Sequence, residues 1–106
     1  MTPDDPHIAV RDNPGRRRYE LFVDEELAGF ATYVLSGQTM TIPHTEMQAR
    51  FEGQGLGARL ARFALDDARG RGLRVVPRCP FIAAYIDRHP DYADLVAGQG
   101  PGGPGV

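Results

Sequence analysis

The sequence predicts one α/β (α+β) domain: a mixed, mostly antiparallel sheet of about five strands carrying two helices. Three observations carry that prediction. Residues 7 to 47 read as short β-rich runs broken by turn residues, and residues 53 to 70 as a glycine turn feeding an amphipathic helix. A further strand-like run, Leu73 to Pro77, follows that helix. A strand reached through a helix lies parallel to its predecessor by a right-handed crossover, whereas a meander is antiparallel.

Each element has its own signal. Residues 1–6 form an N-terminal arm, the domain covers 7–97, and 98–106 is a tail. His7 to Arg11 is a first strand, closed by Asp12-Asn13-Pro14-Gly15. Arg17 to Val23 alternates, with Tyr19, Leu21 and Val23 on one face, until the Asp-Glu-Glu run turns the chain. Leu27 to Leu35 is β-branched and aromatic, and Ser36-Gly37 signals a hairpin. Met40 to Met47 is the fourth strand. Pro43 inside it cannot donate to a ladder, so a bulge or the parting of a neighbouring strand is expected there. From Leu56 to Arg69, Leu60, Ala61, Ala64, Leu65 and Ala68 make an apolar side. Arg59, Arg62, Asp66 and Arg69 make the other, with Arg62 and Asp66 an i,i+4 pair. Gly70 and Gly72 stop this helix. Pro80 opens a second one, which ends at His89-Pro90. The tail holds five glycines and two prolines between Gly98 and Gly105, a composition that predicts disorder.

Size and charge narrow the function. A chain of 106 residues is one domain with a modest core. A net charge of −2 gives no reason to expect nucleic acid or anionic lipid as the main partner. No apolar run is long enough to span a membrane. The opening Met-Thr-Pro-Asp-Asp-Pro has neither the basic flank nor the apolar stretch of a signal peptide, so a cytoplasmic protein is expected. One cysteine excludes an internal disulfide, and no metal site is expected. All 12 basic residues are arginine, so the chain offers no lysine amine for chemistry.

The most informative segment is Arg50-Phe51-Glu52-Gly53-Gln54-Gly55-Leu56-Gly57. Glycines at alternate positions allow positive φ and close approach to the backbone. The helix behind them begins with amides that lack an intrahelical partner. Such a turn suits an anion, most often a phosphate, although a plain tight turn explains the same glycines. It is not a Walker A loop, because no Gly-Lys-Ser/Thr follows. Nor is it a dinucleotide fingerprint, because an antiparallel meander precedes it and Val75 and Val76 stand where an acidic residue is wanted.

The run Arg50-x-x-Gly53-x-Gly55, entered from a fourth strand and continued by a helix, resembles the acyl-CoA-binding motif of the GNAT superfamily of N-acetyltransferases. The order of four strands, glycine turn, helix, strand and helix is similar to the GNAT core. His44-Thr45-Glu46, Pro77-Arg78-Cys79 and Tyr85 to Pro90 extend the resemblance to the very short, YjdJ-like GNAT domains.

The resemblance implies a binding mode and a chemistry. The amides of Phe51, Glu52, Gly53, Gln54, Gly55, Leu56 and Gly57 would bind the diphosphate of acetyl-CoA. The fourth and fifth strands would splay, and free backbone groups near Met47 and Gln48 would pair with the pantetheine arm. Arg50, Arg59 or Arg88 would meet the charged adenosine end. Cys79 would face the acetyl group, as nucleophile, as the acid that protonates the leaving thiolate, or as a bystander that shapes the pocket. Direct attack by the amine is the usual GNAT route. An alkylammonium must first lose a proton, and Glu46 or His44 would take it. Tyr85 resembles the tyrosine that many GNATs set near the coenzyme sulfur as general acid.

Read without the resemblance, these side chains are equally consistent with ordinary roles: a core cysteine, a core aromatic, solvated charges. The chain also departs from longer GNATs. Only Asp12 to Arg16 stand where those proteins carry a helix pair that forms much of the acceptor site, and His89-Pro90 stands where Gly-Phe is frequent. The expected activity is acetyl transfer to a primary amine of unknown identity. The alternatives are a non-catalytic acetyl-CoA or CoA sensor, and a scaffold whose glycines are turn chemistry alone.

Overall fold

A computed structural model describes residues 7–97; the arm at 1–6 and the tail at 98–106 lie outside the described residues. The strands are β1 (Ile8–Asn13), β2 (Arg18–Val23), β3 (Glu26–Ser36), β4 (Thr39–Met47) and β5 (Arg74–Val76). They form one sheet in the order β1-β2-β3-β4-β5, antiparallel up to β4 and parallel between β4 and β5. The helices are α1 (Leu56–Gly70) and α2 (Pro80–Arg88), and short 3-10 turns occupy Ala49–Phe51 and Pro90–Leu95.

Alternation along the strands puts one sheet face against the helices. Tyr19, Leu21, Ala31, Met40 and Ile42 are fully buried, and they share one core with the predicted apolar side of α1. Polar tips pin that packing. Tyr19 Oη donates to Asp67 and Tyr33 Oη to Asp12, both at 2.6 Å, while Arg71 joins the two carboxylates at 2.6 and 3.0 Å. On the other face Arg18, Glu20, Phe30, His44 and Glu46 alternate with the buried set.

Pro43 breaks the sheet twice. Thr32 pairs with His44 and Val34 with Thr41, so Ile42 and Pro43 together stand opposite Tyr33 in a bulge. β5 pairs with β4 only over Thr39, Met40 and Thr41. The Cys79 amide then bonds the Ile42 carbonyl at 2.9 Å, and beyond that point the two chains part.

Three details differ from the sequence expectation. Gly70 lies inside α1, and Gly72 alone (φ 70°) ends it. There the Gly72 amide bonds the Arg69 carbonyl and the Leu73 amide the Ala68 carbonyl, a Schellman pattern. Arg62 and Asp66 form no ion pair; Asp66 instead accepts a 2.6 Å bond from Tyr92 Oη. Residues 90–97, after α2, pack onto the domain as well. Leu95 is buried, Arg69 grips the Asp94 carboxylate at 3.0 Å, and Val96 forms a parallel bridge to Val75.

Candidate functional site

The residues from 48 onward decide which amides are free. The 3-10 turn uses two of them, Phe51 N–H bonding the Gln48 carbonyl at 2.9 Å and Glu52 N–H the Ala49 carbonyl at 3.1 Å. The first amide paired within α1 is that of Arg59, to the Gly55 carbonyl at 3.4 Å. Between them, the amides of residues 53 to 58 have no acceptor among the described residues. Gly53 (φ 82°) and Gly55 (φ 75°) hold the left-handed turns that expose this row, and a Cβ on either would meet open space. The row sits where the α1 dipole is positive, so the local field favours an anion.

This row opens on a cleft of about 450 Å³ between the start of α1, the end of β4 and one side of α2. Thr45 and Met47 line it from β4, Phe81, Tyr85 and Arg88 from α2, and His89 from the residue that caps α2. A hollow of about 550 Å³ between β1 and α1 is bordered by Ile8, Val10, Phe63 and charged residues of α1. It contains none of the predicted catalytic residues.

The unpaired edge of β4 follows from hydrogen-bond parity. Gln48 N–H bonds the Ala28 carbonyl at 2.8 Å, which makes the opposed pairs Phe30/Glu46 and Thr32/His44 the bonded ones. The N–H and C=O groups of Thr45 and Met47 therefore point away from β3, into the gap left by β5. The expectation that Gln48 offers a free amide is corrected: its N–H is spent on Ala28 and its side-chain amide on the Leu27 carbonyl.

Cys79 is 5% exposed and occupies the N-cap position of α2, with Pro80 next. Burial pushes its thiol up, but the Thr45 hydroxyl, then the amides of Ile82, Phe81 and Thr45, outweigh it and the net shift is downward. No side-chain bond caps the start of α2, and Thr45 Oγ1 is buried without a partner among the described residues. A neutral thiol is a weak acceptor, so these donors act on the thiolate rather than on the thiol.

The remaining predicted residues divide between two faces. Tyr85 is 7% exposed in the cleft wall, stacked on His89 at 4.0 Å between ring centroids. Burial holds its phenol above the ordinary value, Arg62 opposing and Asp66 adding. His44 and Glu46 are not in the cleft lining. They stand half-exposed on the open sheet face, His44 Nε2 3.6 Å from Glu46 Oε1. Arg50 is turned away, paired with Glu26 and stacked 4.2 Å from the centre of the Phe51 ring. Phe51 and Leu56 are core residues through their side chains. The amides of Phe51 and Glu52 are consumed by the 3-10 turn, so the free row begins two residues later than expected and runs on to Ala58. Gly57 serves packing, since a Cβ there would lie 2.8 Å from Phe81 Cζ. Phe81, His89 and Thr45 were not among the expected site residues. The signal for Thr45 is its place between His44 and Glu46 on an alternating strand, and that for His89 its place in the Tyr85 to Pro90 run; Phe81 carries none that separates it from a surface residue.

A family model described as GCN5-related N-acetyl-transferase matches residues 18–95. The chain belongs to the GCN5-related N-acetyltransferase family. Among solved structures, a GCN5-like N-acetyltransferase candidate from Staphylococcus aureus, determined by NMR, is similar at a TM-score of 0.66. It is 21% identical, over 83% of this chain and 86% of that one. The ribosomal-protein-S18-alanine N-acetyltransferase of Escherichia coli is similar at a TM-score of 0.58 and 22% identity, over 70% of this chain and 52% of that one. At those identities the two structures bear on the fold. No curated protein sequence matches significantly. The GNAT assignment accounts for the parted fourth and fifth strands and for a glycine turn at the start of the long helix. No helix among the described residues is long and apolar enough to cross a membrane.

Proposed function

We propose that this GNAT-family chain transfers an acetyl group from acetyl-CoA to a primary amine. One observation carries the reading: the free amides of residues 53 to 58 and the unpaired edge of β4 open into the same cleft. The amide row would hold the diphosphate, with Arg88 at the cleft rim for the charged adenosine end. The Thr45 carbonyl and the edge groups of Met47 are the natural partners of the pantetheine amides. Acetyl-CoA supplies the activated acetyl group; the chain supplies position and proton movement. Glu46 or His44 takes the proton of the acceptor ammonium, from the open face beside the gap. Tyr85 keeps its proton at neutral pH and suits the role of acid toward the departing thiolate. Cys79, whose thiol is shifted downward by the surrounding donors, is the group best placed for a covalent alternative.

A second reading, a non-catalytic CoA-binding module, is favoured by the bare sheet face and by the short connection between β1 and β2. Calorimetry with acetyl-CoA, followed by thioester-loss assays across an amine panel, separates the two. Binding with turnover supports the transferase, binding without turnover supports the module, and absence of binding removes both. Mass spectrometry of wild type, Cys79→Ala and Cys79→Ser after exposure to acetyl-CoA tests the covalent route, and steady turnover by Cys79→Ala eliminates it.

A further inference from the structure

The open sheet face carries a pre-positioned guanidinium that the reading above does not use. Arg18 Nε donates to Glu20 Oε2 at 2.7 Å, and the Arg18 carbon Cζ lies 4.4 Å from the centre of the Phe30 ring. Glu20 is only 8% exposed, and its other oxygen, Oε1, accepts from Asn13 Nδ2 at 3.2 Å. A nearly buried carboxylate with both oxygens bonded fixes the plane of the arginine fork, which is itself about 17% exposed. The terminal η nitrogens of Arg18 make no hydrogen bond among the described residues. An arginine held by an ion pair and an aromatic ring has already lost the rotamer freedom that binding would otherwise cost.

Across the same face lies the proposed proton acceptor. Phe30 is paired with Glu46 in the β3–β4 register, and its ring centroid is 6.2 Å from that of His44. The row therefore reads guanidinium, benzene ring, then imidazole and carboxylate beside the gap. With 4.4 and 6.2 Å on either side of one ring, the guanidinium and the imidazole lie within about 11 Å of each other. Contact distances of roughly 3–4 Å at each end leave at most about 5 Å, the span of up to about four bonds between an amine and an anionic group.

We propose that the acceptor is a short ω-amino acid, a primary amine about two or three methylenes from a carboxylate. Its carboxylate lies on the free fork of Arg18, its methylenes on Phe30, and its amine at Glu46 and His44. The proposal rests on the transferase reading for the direction of the amine, and it names the acceptor class that reading leaves open. Arg18 and Phe30 are binding residues here; neither touches the bond that is made.

The test uses 4-aminobutyrate against butylamine, which share a chain and differ in the carboxylate. In wild type, the KM for 4-aminobutyrate is expected to be about ten- to a hundredfold lower, the scale of a charge-assisted pair. In Arg18→Gln/Glu20→Gln, which removes both charges together and keeps a neutral side-chain pair, that ratio falls to about one through KM rather than kcat. Arg18→Lys, which retains the charge but not the fork, keeps only part of the preference. Calorimetric titration of 4-aminobutyrate into CoA-saturated protein gives a readout that does not require turnover. Binding to wild type that is lost in the double variant supports the site even if no amine is acetylated, an outcome that would sink the transferase reading alone. Equal KM values for the two amines in wild type, or no calorimetric binding of 4-aminobutyrate, overturns the proposal.

Discussion

Gly55 offers the sharpest test of the amide row, because Gly72 is its matched control. Both hold left-handed backbone, φ 75° and 70°, and a Cβ on either would touch nothing within 4 Å. An alanine in that conformation costs about 1–2 kcal/mol wherever it sits. Gly55→Ala and Gly72→Ala should therefore lose similar stability in urea denaturation. They differ in place: Gly55 begins α1 inside the cleft, whereas Gly72 closes its far end. A methyl at Gly55 stands in the approach to the amides and would hold a diphosphate off at least two of them. At about 1.5–3 kcal/mol for each bond to a charged group, affinity should fall by roughly two to four orders of magnitude. Calorimetry with CoA reads this directly, with Gly72→Ala expected to bind as wild type. Equal CoA affinity in the two variants, both folded, would refute the assignment of the anion to this row.

Three further outcomes are expected. Gly29→Ala should cost about 1–3 kcal/mol by overpacking, because its Cβ would stand 2.6 Å from the Glu46 carbonyl oxygen, which cannot swing aside as the Met47 side chain can; an unchanged urea midpoint would contradict this. Alkylation of Cys79 by iodoacetamide should rise with pH at a midpoint below that of an ordinary thiol, and Thr45→Val should move the midpoint up. Burial first, then hydrogen bonds to Asp12 and Asp66, raise the Tyr33 and Tyr92 phenols from 10.0 to about 12. The folded state thus keeps protons that the unfolded chain releases, so stability should be intact below pH 10 and fall as pH climbs toward 12, which urea titrations across that range would check.

What the sequence disclosed and what it hid divide along a physical line. Alternation and helical periodicity report burial, so the faces of β2 and α1 and the core role of Leu60 to Ala68 were legible. Proline chemistry was legible too, since the bulge and the parting of strands both fall at Pro43. Polar partners were not. Arg62 and Asp66 have the right spacing, yet Asp66 bonds Tyr92, whose position depends on a turn after α2 that no periodic pattern marks. Arg50 matched the coenzyme motif, yet Glu26, at the start of β3, lies close enough to capture it. Which amides are free depended on the Ala49–Phe51 turn, an element too short to leave a signature.

The site and the defect in the sheet have one origin. A continuous β4–β5 ladder would pair the outward groups of Thr45 and Met47 and leave no gap beside Cys79. Pro43 gives no N–H to either neighbour, and the bulge around it lets β4 turn from β5 directly after the Ile42 carbonyl has received the Cys79 amide. That bond fixes Cys79 at the apex of the gap, and Pro80 starts α2 there, so the free amides of Phe81 and Ile82 converge on the sulfur. The alternation that resumes after the bulge then sends Thr45 and Met47 into the cleft and His44 and Glu46 to the bare face. One proline thus sets the open edge, the place of the thiol and the division of polar groups between the cleft and the bare sheet face. A chain with so little structure between its first two strands can therefore still present two chemically distinct faces on either side of β4.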